Sequence, residues 1–180
     1  LLSRPDLQTM LVVGSGEMAP RLVRAHRAVR PSLARVLIWN RTAERAAALA
    51  ASLRNEGIAA EAVADLDAAT READLISTGT RSHTPLVKGA NLKAGAHLDL
   101  VGGYTPETRE SDDEAARRSL IFVDRRESAF HGVGDILQPI ASGAIAESAV
   151  RGDLYDLAPG KIEGRRSLDD ITVCKNAGGG

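Results

Sequence analysis

Met10 to Ala19 reads Met-Leu-Val-Val-Gly-Ser-Gly-Glu-Met-Ala and constrains the fold more than any other stretch. A short apolar run closes on Gly-x-Gly-x-x-Ala and passes directly into residues with helical spacing. That strand, turn and helix lay a dinucleotide pyrophosphate on a helix N-terminus. Gly14 permits the tight turn, Gly16 brings backbone toward phosphate without a Cβ in the way, and Ala19 lets the helix pack closely on the strand. The N–H groups that open the helix lack intrahelical acceptors and face the anion.

A glycine pattern alone is a weak signal, so weight falls on the residue that ends the next strand, where such folds read the adenosine ribose. That strand is Arg35 to Trp39, followed by Asn40-Arg41-Thr42. Asn40 stands where an acidic side chain usually takes the 2′-hydroxyl of NAD, about 20 residues past the fingerprint. A carboxylate there would oppose a 2′-phosphate by roughly 4 kcal/mol per charge pair at 4 Å and an effective dielectric near 20. The neutral amide removes that repulsion, Arg41 adds a planar fork of donors, and Thr42 offers a hydroxyl while capping the following helix. The expected cofactor is therefore NADP(H) rather than NAD(H). The competing reading makes Asn40-Arg41-Thr42 only a turn and a helix cap.

The 180 residues are 43% hydrophobic and 26% charged with a net charge of −1, enough to bury one ordinary core and too balanced for a nucleic-acid field. No apolar stretch approaches the ~20 residues of a membrane span, so a cytoplasmic protein with neither membrane nor nucleic-acid partner is expected. The chain opens on Leu1 and closes on three glycines, which reads as a piece of a longer polypeptide. Ile162-Glu163-Gly164-Arg165 is read as native sequence.

Short β-branched runs alternate with Ala- and Arg-rich stretches, the βαβα rhythm of a doubly wound parallel sheet. Residues 1–150 are expected to form a Rossmann-type α/β NAD(P)-binding domain, and 151–180 a segment leading back toward a second domain. Leu22, Ala25 and Val29 share one predicted helix face; Ala46, Leu49 and Leu53 share another. Ser111 to Glu114 has capping-box spacing before a short helix. From Glu127 to Val150 one or two helices are expected, broken by Gly132, Gly134 and Pro139.

Together these segments resemble the ornithine cyclodeaminase and μ-crystallin family, which includes ketimine reductases and some alanine dehydrogenases. The likeness spans nearly the whole chain. It rests on Val-Val-Gly-Ser-Gly-Glu-Met-Ala, Ile-Trp-Asn-Arg-Thr (38–42), Ala-Asp-Leu-Ile-Ser-Thr-Gly-Thr (73–80), Leu-Asp-Leu-Val-Gly-Gly (98–103), Arg-Glu-Ser-Asp-Asp (109–113) and Thr-Val-Cys-Lys-Asn-Ala-Gly (172–178). The resemblance implies a two-domain subunit whose other domain supplies substrate-binding side chains and a homodimer interface. It places Glu17 and Met18 on the pyrophosphate turn, Thr78 and Thr80 beside the cofactor, Val101, Gly102, Gly103 and Tyr104 along the nicotinamide, and Asn176 over it.

Cyclodeaminases of this family carry an aspartate directly after Val-Gly-Gly and a lysine four positions later; this chain has Tyr104 and Thr108. A tyrosine is a poor general base at neutral pH, although it can donate a proton or hydrogen bond. The resemblance thus points to NADPH-dependent reduction of a cyclic imino acid such as Δ1-pyrroline-2-carboxylate to an L-amino acid such as L-proline, with Tyr104 the candidate catalytic residue. Conversion of ornithine to proline and ammonia, alanine dehydrogenation and a non-enzymatic NADPH-binding role are the alternatives. No metal is expected: His26, His83, His97 and His131 form no ligand spacing, and Cys174 lies in an apolar run suited to core packing. Arg117-Arg118 and Arg125-Arg126 read as solvated faces.

Overall fold

Apolar residues alternate in which face of a strand they occupy, so a sheet covered on both sides needs apolar runs without polar gaps. The computed structural model describes residues 1–178 and shows eight strands, most of them apolar runs, with polar residues such as Glu61, Asp99 and Arg151 in three of them. These are β1 (Thr9–Val13), β2 (Arg35–Trp39), β3 (Ala60–Ala62), β4 (Leu75–Thr78), β5 (His97–Leu100), β6 (Ser119–Val123), β7 (Val150–Asp153) and β8 (Ile171–Lys175). They form one sheet in the order β3-β2-β1-β4-β5-β8-β6-β7, and every neighbouring pair is parallel. The helices are α1 (Met18–Val29), α2 (Ala43–Asn55), α3 (Leu66–Glu72), α4 (Asp113–Arg118), α5 (Arg126–Ala129), α6 (Gly134–Ala141) and α7 (Leu154–Leu157).

Met10, Val12, Val36, Ile38 and Leu75 face one way and pack with Ala19 and Val23 of α1 and Ala46, Ala50 and Leu53 of α2. Leu11, Val13, Leu37, Ile76, Leu98 and Val173 face the other way, against Ala69, Ala115 and Ile136. Each of the larger aliphatic side chains removed from water contributes about 1.5–3 kcal/mol. The order reverses at β1, which pairs with β2 on one side and β4 on the other. A crevice opens there at the carboxyl ends of the strands.

The structure corrects several local expectations. Ala25 and Val29 are exposed; α1 buries Ala19 and Val23 instead, with His26 on the same side. Apolar periodicity missed this because His26 is polar: it is half-buried and bonded to Asp99, 2.8 Å away. The N-cap of α4 is Asp112 rather than Ser111: its carboxylate accepts from the N–H groups of Ala115 and Gly89, each at 2.8 Å. Pro139 lies inside α6 without ending it. It gives up one backbone bond in an eight-residue helix, a loss that burial of Ile136 and Pro139 offsets. Arg118 and Arg126 do not merely face water, since they donate to the carbonyls of Leu92 and Val150 at 3.1 and 2.6 Å.

The sheet also continues past residue 150. β7 and β8 come from that segment, and β8 inserts between β5 and β6. Arg165 ties the segment down, donating to the carbonyls of Leu2 (2.8 Å), Gly95 and Ala96 (both 3.1 Å). Among the described residues no helix is long and apolar enough to cross a membrane.

Candidate functional site

Gly14 turns the chain out of β1 at φ +105°, and a Cβ there would stand 3.0 Å from the carbonyl oxygen of Gly79. Both facts require glycine. A Cβ at Gly16 would meet nothing within 4 Å, so that backbone borders open space. α1 follows at once, with Pro20 in its first turn where no N–H is needed. Among the described residues, the N–H groups of Gly16, Glu17 and Met18 have no acceptor within the chain.

Two adjoining cavities extend from this turn. One, of about 270 Å³, runs past Trp39, Asn40, Arg41, Thr42 and Arg45 to Gly79, Thr80 and Arg81. The other, of about 350 Å³, shares Gly16, Gly79, Thr80 and Arg81 and continues along Glu17, Met18, Val101, Gly102 and Tyr104. No carboxylate lines the first cavity. Its three arginines, Arg41, Arg45 and Arg81, make no ion pair among the described residues. Exposed guanidinium groups, free N–H groups at a helix N-terminus and a glycine turn together fit a phosphate-rich cofactor.

The Asn40 amide donates to the carbonyl of Thr42 at 3.0 Å, so this residue shapes the turn and also keeps the strand tip uncharged. Thr42 occupies the N-cap position of α2, yet its hydroxyl makes no capping bond and stays exposed. Tyr104 is half exposed at the mouth of the second cavity. Four residues assigned to the cofactor line neither cavity, and the first, Ala19, is buried in the packing of α1 on the sheet. Thr78 is fully buried and donates to Glu110 at 2.6 Å, Gly103 is buried at φ +62° against Asp135, and exposed Asn176 accepts from the N–H of Gly178 at 2.8 Å. Thr78 points inward because it occupies a strand position whose side chain faces the α4 and α6 side of the sheet.

Behind the second cavity lies a charged cluster that the sequence reading missed. Glu110 accepts from the N–H and hydroxyl of Thr80 at 2.6 and 2.7 Å. Asp135 accepts from the N–H groups of Glu110 and Ser111 at 2.8 and 3.2 Å, and its other oxygen lies 3.5 Å from the ammonium of Lys175. Lys175 is wholly buried and donates to the carbonyls of Leu100, at 3.2 Å, and Gly102. Burial raises the Glu110 carboxyl above the usual carboxylate range, and Asp135 adds to this while Thr78 and Thr80 oppose it. Burial raises Asp135 as well, against the pull of Lys175. The available signal was a lysine ending an apolar strand run, which needs a buried counter-charge.

A second polar group crosses the opposite sheet face. Asp99 accepts from His26 and from Ser77, both at 2.8 Å. Burial pushes Asp99 up, but these bonds and the His26 charge hold it below its ordinary range. Neighbouring Cys174 is pushed up to about 12, chiefly by burial, which leaves it an inert thiol. Among the described residues no group of three His, Cys, Asp or Glu side chains is arranged to hold a metal.

The family model described as ornithine cyclodeaminase/mu-crystallin family matches residues 1–179. The chain belongs to that family. It is 44% identical, over 99% of its length and 57% of the relative's, to the Δ1-pyrroline-2-carboxylate reductase of Paracoccus denitrificans. Among solved structures, the Δ1-pyrroline-2-carboxylate reductase of Thermococcus litoralis, in complex with NADH and L-proline, superimposes with a TM-score of 0.95 at 29% identity. That match covers 98% of this chain and 55% of the other. An archaeal alanine dehydrogenase dimer with bound NAD gives 0.92 at 27% identity, covering 98% and 54%. The chain thus spans little more than half the length of these family members.

Proposed function

We propose that the protein containing this chain reduces a cyclic imino acid such as Δ1-pyrroline-2-carboxylate to L-proline, with NADPH as reductant. The observation that carries this reading is the 44% identity to a protein named for that reduction, sustained along the whole chain. The absence of a carboxylate at position 104 agrees with it, because ammonia release from ornithine needs a base that Tyr104 does not supply.

The turn at Gly14 and Gly16, with the N-terminus of α1, would hold the pyrophosphate, and Arg41, Thr42 and Arg45 would flank the adenosine ribose. Thr80, Val101, Gly102 and Tyr104 would line the nicotinamide end. When bound, the reduced nicotinamide supplies the hydride that the imine carbon accepts. This chain's part is to fix the direction of approach, and the Tyr104 hydroxyl can donate a hydrogen bond to the substrate. The preference for NADPH rests on a cavity lined by three arginines and no acid. We infer that the imino acid is bound largely by a second domain, that the subunit forms a homodimer through it, and that the enzyme works in the cytoplasm, where reduced nucleotide is supplied.

One spectrophotometric comparison tests the proposal. The full-length protein is given Δ1-pyrroline-2-carboxylate with NADPH or NADH, pyruvate plus ammonia with the same nucleotides, and ornithine with NAD and an ammonia readout. Fastest turnover with the cyclic imino acid and NADPH is expected. Robust ammonia release from ornithine, or nucleotide binding without any turnover, would overturn the reading.

A further inference from the structure

A buried ion cluster is a weak source of stability, because desolvation of its charges consumes most of what their attraction supplies. The Lys175, Asp135 and Glu110 cluster is informative for where its hydrogen bonds end. Lys175 spends two donors on the carbonyls of Leu100 and Gly102, and Glu110 spends both oxygens on Thr78 and Thr80. Thr80 and Gly102 both line the second cavity, and there they touch: a Cβ at Gly102 would collide with the Thr80 carbonyl oxygen. Contact is also too close for slack: a Cβ at Gly102 would fall 2.5 Å from Glu110, and one at Gly103 would fall 2.5 Å from Asp135.

We propose that Lys175 is a positioning residue for the nicotinamide end of the cleft. It anchors the Gly102–Gly103 turn from behind, while Asp135 and Glu110 lock that turn to the Thr80 loop. The arrangement fixes the joint where the Gly102–Gly103 turn meets the Thr80 loop, the surface against which the ring would lie, without touching Arg41, Thr42 or Arg45. This inference rests on the assignment of Thr80, Gly102 and Tyr104 to the nicotinamide end.

The test compares the full-length protein with Lys175→Met, Asp135→Asn and the double variant. Thermal unfolding without nucleotide, the Kd for NADPH, the fluorescence anisotropy decay of bound NADPH, and kcat with the cyclic imino acid are all measured. Lys175→Met alone should unfold at lower temperature, because it leaves Asp135 without its counter-charge, and the double variant should recover most of that loss. In the double variant the Kd for NADPH should stay within about threefold of the parent, since the adenosine and pyrophosphate contacts are untouched. The bound ring should nevertheless rotate faster, and kcat should remain at least tenfold down. Recovery of kcat together with stability would show that Lys175 only balances charge, and would overturn the proposal. So would an unchanged anisotropy decay. If the parent reduces no imino acid, the proposed substrate is wrong, and the anisotropy comparison still decides the role of Lys175.

Discussion

At the adenosine end of the cleft, Arg41 and Arg45 stand exposed without an ion-pair partner among the described residues, whereas at the other end Lys175, Asp135 and Glu110 are sealed behind the wall they support. Exposed charge attracts an anion over a distance, tolerates small displacements and weakens with salt. Buried charge does the reverse: it interacts strongly, admits little displacement and is costly to leave unpaired. The first arrangement suits capture of a phosphorylated cofactor, and the second suits holding backbone in one place. The two ends should therefore answer differently to mutation.

The largest difference is expected at the buried end. Asp135→Ala leaves Lys175 without a carboxylate partner and should lower stability by about 3–5 kcal/mol, read as a shift in the urea midpoint. Arg24→Ala removes an exposed pair with Glu56, in which the two bonds are 2.9 and 2.7 Å, and should leave that midpoint where it was. Equal shifts would erase the contrast.

Gly14 lies between the two ends and tests backbone instead of charge. An alanine there must adopt φ +105° with its Cβ against Gly79, a strain of about 1–3 kcal/mol. Thermal unfolding should register that cost. Because relief of the strain would move the turn, NADPH affinity should fall by more than tenfold even though no charged group has changed.

A third test uses pH on the sheet face opposite the cluster. His97 is held down to about 4, first by burial and then by His26 and Arg165, against the pull of Asp99. The unfolded chain binds a proton near pH 6.5 and the folded chain only near 4, so stability falls as pH drops through that window. His97→Gln keeps a partner for Thr172, whose hydroxyl lies 2.8 Å from the ring nitrogen, and should flatten the slope by up to one proton. Below pH 4 both proteins should lose stability together. There Asp74, which burial pushes up but Lys93 and the N–H groups of Thr9 and Gln8 hold low, becomes protonated.

What could be read from the sequence divides along the same line. The β1 turn and the strand tip at Asn40 are local: their meaning depends on a few consecutive residues and on a spacing of about 20. The family resemblance extended that reading along the chain, and the family match bears it out. The buried cluster depends instead on β8, which is last in the chain yet sits between β5 and β6, so that Lys175 meets Asp135 and Glu110 only after folding. The same holds for His26 and Asp99, separated by 73 residues and joined by one bond. Periodicity reports which face is apolar and is silent about a polar residue whose partner comes from a distant strand.

Arg41 gives the smallest expected change and the sharpest view of the exposed end. Its side chain has no partner to lose among the described residues, so Arg41→Ala should leave the unfolding temperature unaltered. A guanidinium bond to a 2′-phosphate is a charge-assisted contact, and its loss should weaken NADPH about tenfold with little effect on NADH. Arg45 and Arg81 line the same cavity and should retain part of the preference, which keeps the loss moderate. Because the contact is open to solvent, raising the salt should shrink the parent's preference toward that of the variant. Titration of both nucleotides at low and high salt therefore separates two cases. A preference that vanishes with salt and with Arg41 is exposed electrostatics, whereas one that survives both must reside in the shape of the Asn40 turn.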